Sequence, residues 1–157
     1  MADTQTVVAL VVDCSVVAKW ELPGEDYTQE ALELYRDWEA EAIMVLSPDL
    51  FPSEIGSVFL RAVRRGRVTE AQAQAGMQRL LALPYVLHPS TPLVPRAFDI
   101  AHQHNQRIYD CFYVALAERE GMAFWTSDER LYNALNARHP FVRFIAHYVA
   151  QRQHPTP

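Results

Sequence analysis

The chain reads as an α/β protein in which helices flank a central, mostly parallel sheet. Three observations predict this. Val7-Val-Ala-Leu-Val-Val12 is a continuous apolar run, the pattern of a central parallel strand covered on both faces. Short strand-like runs then alternate with longer stretches of helical spacing, the order that builds βαβ units. The first run also ends on a carboxylate, Asp13, and open parallel sheets bind ligands at the C-terminal mouths of their strands.

Each element has its own justification. Val7–Val12 is strand one. From Tyr27 to Ala40, the apolar positions Ala31, Leu34, Tyr35 and Trp38 recur at helical spacing with acidic residues between them, which marks an amphipathic surface helix. Ile43–Leu46 is a second strand, and Ser47-Pro48 supplies an N-cap followed by proline at the first helical position. The next helix carries Ile55, Val58, Phe59 and Ala62 on one face, with Glu54 near its start. It ends at Gly66, which suits a left-handed C-cap. Thr69-Glu-Ala-Gln72 is a capping box opening a helix through Met77, Leu80 and Leu81, and Pro84 stops it. Tyr85–Leu87 is a short strand.

Thr91-Pro92 starts a helix through Ala97, Phe98 and Ala101. The polar stretch His102–Arg107 separates it from a long helix over Tyr109–Glu120, ended by Gly121. Met122–Ser127 reads as a strand, Asp128–Asn136 as a short helix and Phe141–Ile145 as the last strand, before a polar tail over Gln151–Pro157. No linker or repeat interrupts the series, so one domain is expected over 1–157, its core spanning 7–145. Asp13 and Asp128 both fall on the strand C-terminal edge.

A domain of 157 residues buries roughly 70% of the surface its unfolded chain exposes, enough to fold without staples. Hydrophobic residues make up 50% and charged residues 21%, ordinary for a globular chain, and no apolar stretch approaches the ~20 residues of a bilayer span. Met1–Thr6 has no basic start and no long apolar segment, so a cytoplasmic location is expected. Cys14 and Cys111 are too few for a disulfide framework and read as small buried residues. The net charge of −5 argues against generic nucleic-acid affinity. It includes carboxylates that a divalent cation would partly cancel, so an RNA substrate stays open.

Those carboxylates are the chemical signal. Asp13 closes the first apolar run, Glu54 sits beside Ile55, Asp110 opens Cys111-Phe-Tyr-Val-Ala-Leu-Ala117, and Asp128 follows Phe124-Trp-Thr-Ser127. Each has an ordinary alternative: an Asx-turn for Asp13, a dipole-favoured first-turn acid for Glu54, a helix N-cap for Asp128. Asp110 is the sole charge from Ile108 to Ala117 and is harder to explain that way. Together they point to a shared metal site. Mg²⁺ and Mn²⁺ prefer oxygen ligands, and Mg²⁺ keeps several waters, so three or four acids from distant segments suffice. Enzymes that cleave phosphodiesters commonly use such ions to neutralise the phosphate and activate water. Without a cation the acids would repel one another and raise at least one pKa. Ser15 lies two residues after Asp13 and Thr126 two before Asp128, placed to orient an aspartate or hold a water.

At this point the residues carry a resemblance. Val12-Asp13-Cys-Ser15, Pro52-Ser-Glu54-Ile, Tyr109-Asp110-Cys-Phe-Tyr-Val-Ala-Leu-Ala117 and Thr126-Ser-Asp128-Glu-Arg-Leu131 resemble the successive signatures of PIN-domain ribonucleases, most closely the VapC-type toxins. The likeness runs from Val7 to about Ile145. It implies a three-layer α/β/α PIN-like domain, Mg²⁺ or Mn²⁺ dependence, endonucleolytic RNA cleavage that arrests translation, a VapB-type antitoxin and a homodimer. It also implies in-line attack by water, leaving 5′-phosphate and 3′-hydroxyl ends. Carried over by position, Asp13, Glu54, Asp110 and Asp128 form the acidic site, Asp13 and Asp110 holding the principal ion, with Ser15 and Thr126 as hydroxyl companions. One departure stands out: Ser57 occupies a position where many relatives have asparagine, which removes any amide role there.

Arg61, Arg64, Arg65 and Arg67 cluster at the end of the third helix, either to meet RNA or antitoxin or as solvated cations at a helix C-terminus. His102-x-His104 has no partner at zinc-finger spacing, and Trp20, Trp38 and Trp125 read as core or dimer-interface residues. Nucleotide binding is excluded by the absence of a phosphate-binding glycine loop. A dehalogenase-like phosphatase would need a second aspartate at position 15, and a receiver domain a lysine late in the chain, whereas Lys19 is the only lysine. The non-enzymatic rival is an inactive PIN-like RNA- or protein-binding module.

Overall fold

The computed structural model describes residues 7–152; the readings of Met1–Thr6 and of the tail beyond Arg152 lie outside them. In chain order the elements are β1 (Val8–Val12), α1 (Cys14–Val17), α2 (Thr28–Glu39), β2 (Ile43–Pro48), α3 (Phe51–Arg64), α4 (Glu70–Leu81), β3 (Val86–His88), α5 (Val94–His104), α6 (Ile108–Glu120), β4 (Phe124–Thr126), α7 (Glu129–Leu135), β5 (Val142–Phe144) and α8 (Tyr148–Gln151). The strands form one sheet of order β3-β2-β1-β4-β5 in which every pairing is parallel. β1 is central, pairing Val8 with Ile43 on one side and Val11 with Phe124 on the other.

Side chains on β4 reveal the layers, since successive residues of a strand point to opposite faces. Phe124 stacks on Tyr113 of α6, with ring centroids 5.8 Å apart. Its neighbour Trp125 meets Tyr148 of α8 edge-on at 5.0 Å, and Tyr148 donates a hydrogen bond to Asp37 of α2. Helices therefore cover both faces, as expected of an α/β/α sandwich. Seven consecutive residues of α6, Cys111–Ala117, are buried, which makes it the central helix rather than an amphipathic surface one. The chain steps from β1 through β2 to β3, then returns across β1 to β4 and β5. The strand order thus reverses between β1 and β4.

Several boundaries differ from the sequence reading. Ser47-Pro48 does not cap a helix: β2 continues through Pro48, and α3 begins at Phe51 with Pro52 in its first turn. Ser47 is fully buried and its hydroxyl donates to Val12 O at 2.9 Å, so it clamps β2 to the end of β1. Thr91-Pro92 forms a 3-10 turn ahead of α5, and α5 extends through His102 to His104 before Asn105 turns left-handed. The capping box at Thr69 and Gln72 is present, with both reciprocal bonds made. α1 and α8, each four residues long, have too little length for a periodic signal and were not anticipated.

Candidate active site

The reversal between β1 and β4 creates a crevice at their C-terminal ends, and the chain fills it with polar groups. After Val12, Asp13 caps α1, its Oδ1 accepting from the Ser15 amide at 3.0 Å and from the Ser15 hydroxyl. After β4, Asp128 caps α7 and accepts from the Leu131 amide at 3.1 Å. Buried Thr126 links the two turns: its hydroxyl donates to Asp13 Oδ2 at 2.7 Å and accepts from the Asp128 amide at 3.0 Å. Ser127 donates twice to Ser15, from its amide to Ser15 Oγ at 2.9 Å and from its hydroxyl to Ser15 O at 3.0 Å. Asp13 and Asp128 are therefore local helix caps that Thr126 also ties to each other.

The other two acids arrive on helices. Glu54 lies in the first turn of α3 and Asp110 in the first turn of α6, where the helix dipole favours a carboxylate. All four acids line one cavity of about 640 Å³, together with Ser15, Ser57, Tyr109 and four arginines, Arg61, Arg65, Arg67 and Arg107. Thr126 is fully buried and absent from that lining, holding Asp13 from behind.

Burial and mutual repulsion leave three acids reluctant to ionise. Desolvation pushes Asp13 up to about 6, against the opposing bonds from Ser15 and Thr126 and with the Asp110 charge adding to the rise. Glu54 rises to about 7, again mainly by desolvation, with the Tyr113 hydroxyl and Arg61 opposing and Asp13 and Asp110 reinforcing. Asp110 is raised by desolvation and by Asp128, with Arg107 opposing. Each of these three feels at least one other acid of the cavity. Cys14 and Cys111 are buried free thiols, both pushed upward by desolvation, as expected of inert packing residues.

The donor set is all oxygen, suited to a hard divalent cation rather than to zinc or iron. Among the described residues no three acidic, cysteine or histidine side chains close a metal cage by themselves. Mg²⁺ and Mn²⁺ complete their shells with water and phosphate oxygens, so a site for either needs only a few protein ligands. The fit is thus one of chemistry and charge: carboxyls raised in pKa mainly by burial and further by one another, beside a cavity with room for waters.

The arginine cluster divides. Arg61 and Arg65 line the cavity, whereas Arg64 does not. Arg67 also lines it, but its guanidinium is committed to Pro23 O at 2.8 Å and to Glu25, which also pairs with buried Lys19. Sequence reasoning missed Arg107 and Tyr113. Tyr113 donates its hydroxyl to Glu54 Oε2. Its signal was available, since it is the only hydroxyl-bearing side chain between Cys111 and Ala117. His104 meets not His102 but His139, their Nε2 atoms 3.2 Å apart.

The profile of the PIN domain matches residues 10–135, which contain all four acids. Ribonuclease VapC1 of Mycobacterium tuberculosis is 37% identical over 87 residues, 54% of this chain and 63% of that protein, so the chain spans somewhat under two thirds of this relative. Ribonuclease VapC3 of Pyrobaculum aerophilum is 30% identical over 124 residues, 78% of this chain and 91% of the relative. In structure, PAE2754 from Pyrobaculum aerophilum superposes over 93% of this chain and all of its own, with a TM-score of 0.64 and 21% identity, a likeness of fold. From profile, sequence and architecture together, the chain belongs to the PIN domain family, within the group whose curated members are named VapC ribonucleases.

Proposed function

We propose that the protein is a metal-dependent endoribonuclease, the toxin of a VapBC-type pair, hydrolysing RNA phosphodiester bonds with Mg²⁺ or Mn²⁺. The observation that carries this is the convergence of Asp13, Glu54, Asp110 and Asp128 from four separate segments into one cleft that also holds arginines. A bound divalent ion would neutralise the scissile phosphate and acidify the attacking water. Asp13 and Asp110 would hold that ion, with Glu54 and Asp128 as further ligands or as acceptors orienting the water. Ser15 and Thr126 fix both oxygens of Asp13, so its carboxylate enters the reaction already oriented. Arg61, Arg65 and Arg107 bind RNA phosphates on either side of the cleaved bond. A VapB-type antitoxin and a second copy of the chain are the partners this kinship supports, and with them a cytoplasmic place of action. Among the described residues no helix is long and apolar enough to cross a membrane.

The test is cleavage of total cellular RNA by purified protein with Mg²⁺, Mn²⁺ or chelator, beside Asp110→Asn. Discrete, metal-dependent fragments that the variant does not produce are expected. A folded, antitoxin-free protein that cleaves nothing under either metal would instead favour the binding-module reading.

A further inference from the structure

Three of the four acids are held, and they are held differently. Asp13 and Asp128 accept hydrogen bonds from amides of their own turns, with Thr126 added for Asp13. Glu54 has the longest and most freely rotating side chain of the set, and no amide of its own helix bonds its carboxylate. Its one hydrogen bond among the described residues comes from Tyr113, which belongs to a different helix. Tyr113 is itself rigid: it is 1% exposed, and its ring stacks on Phe124 at an interplanar angle of 15°. It stands three residues beyond Asp110 on the same face of α6, so a single helix delivers one acid and braces another.

We propose that Tyr113 is the positioning residue of the acidic site, setting the direction of Glu54 and through it the affinity of the cleft for a divalent cation. The phenol claims one carboxylate oxygen and leaves the other available. A glutamate without that brace would have to lose side-chain rotamer freedom in each binding event. Hydrogen-bond partners standing behind metal ligands typically govern metal affinity by 10–100-fold. This inference rests on the nuclease reading only in taking Glu54 as part of the cation site.

The experiment is a double-mutant cycle in Mn²⁺ affinity, measured by equilibrium dialysis without RNA on wild type, Tyr113→Phe, Glu54→Gln and the double variant, with thermal melts alongside. Tyr113→Phe keeps the ring and its stacking, so a melting curve close to wild type is expected. Mn²⁺ binding should weaken by about 10-fold or more in either single variant, and the double variant should bind no more weakly than Glu54→Gln. If Glu54→Gln weakens binding and Tyr113→Phe does not, the positioning role is overturned while the cation site stands. If the two losses multiply in the double variant, Tyr113 acts independently of Glu54 and the proposal also fails. Wild-type affinity in Glu54→Gln would remove Glu54 from the site, and the proposal with it.

Discussion

Asp13 illustrates how a single residue couples stability to the site. Its carboxyl is buried among apolar strand ends and titrates near 6, while an aspartate in the unfolded chain titrates near 3.8. A folded state that binds the proton more tightly is favoured at low pH. This contribution is therefore fully present below about pH 4 and is lost as pH rises through 6, and Glu54 extends the loss to about 7. With chelator present, Asp13→Asn should raise the melting temperature near about pH 7.5 and raise it less near about pH 5. The difference between the two melts at each pH is the measurement. An equal shift at both values would show that Asp13 ionises freely. Saturating Mg²⁺ should erase much of the wild type's deficit at the higher pH, because a bound cation stabilises the folded state by mass action.

At the level of elements, the cleft depends on how α3 is held, because α3 carries both Glu54 and Arg61. It packs on α4 where Gly76 admits the ring of Phe59: a Cβ built at Gly76 would lie 2.9 Å from Phe59 Cε1. Gly76→Ala gains about 1 kcal/mol of helix propensity but must displace a ring that is 3% exposed, and overpacking of that kind costs about 1–3 kcal/mol. Net destabilisation of roughly 1 kcal/mol is expected in urea unfolding. A stabilised variant would mean that α3 shifts freely against α4.

Across the whole molecule, charge is distributed against its sum. The chain is acidic overall at −5, yet four of its thirteen arginines line the cavity that holds the acids. RNA affinity should then depend steeply on salt through a few local contacts, with the net charge opposing approach. In the non-cleaving Asp110→Asn background, Arg65→Ala should weaken binding of single-stranded RNA and reduce the slope of log affinity against log salt by about 0.7. An unchanged slope would place Arg65 outside the RNA path.

What the chain determined by itself was most of what is local or periodic, short helices such as α1 and α8 excepted. The apolar run of β1, the capping box of α4 and the fully apolar face of α6 interrupted only by Asp110 could be read directly, because hydrophobic period and cap chemistry act within a few residues. The four acids were legible for the same reason: each interrupts a segment whose pattern says it is buried. What only the tertiary structure decided were pairings between distant segments. Ser47 looked like a cap and became a strand clamp, because its nearest acceptor, Val12 O, is 35 positions away in sequence. Arg67 belongs to Glu25 rather than to the free rim, Arg64 points outside the cleft lining, and Tyr113 braces Glu54 from 59 positions away. Such contacts follow from the strand order, which brings β1 beside β4 across more than a hundred residues, and no local propensity encodes that adjacency.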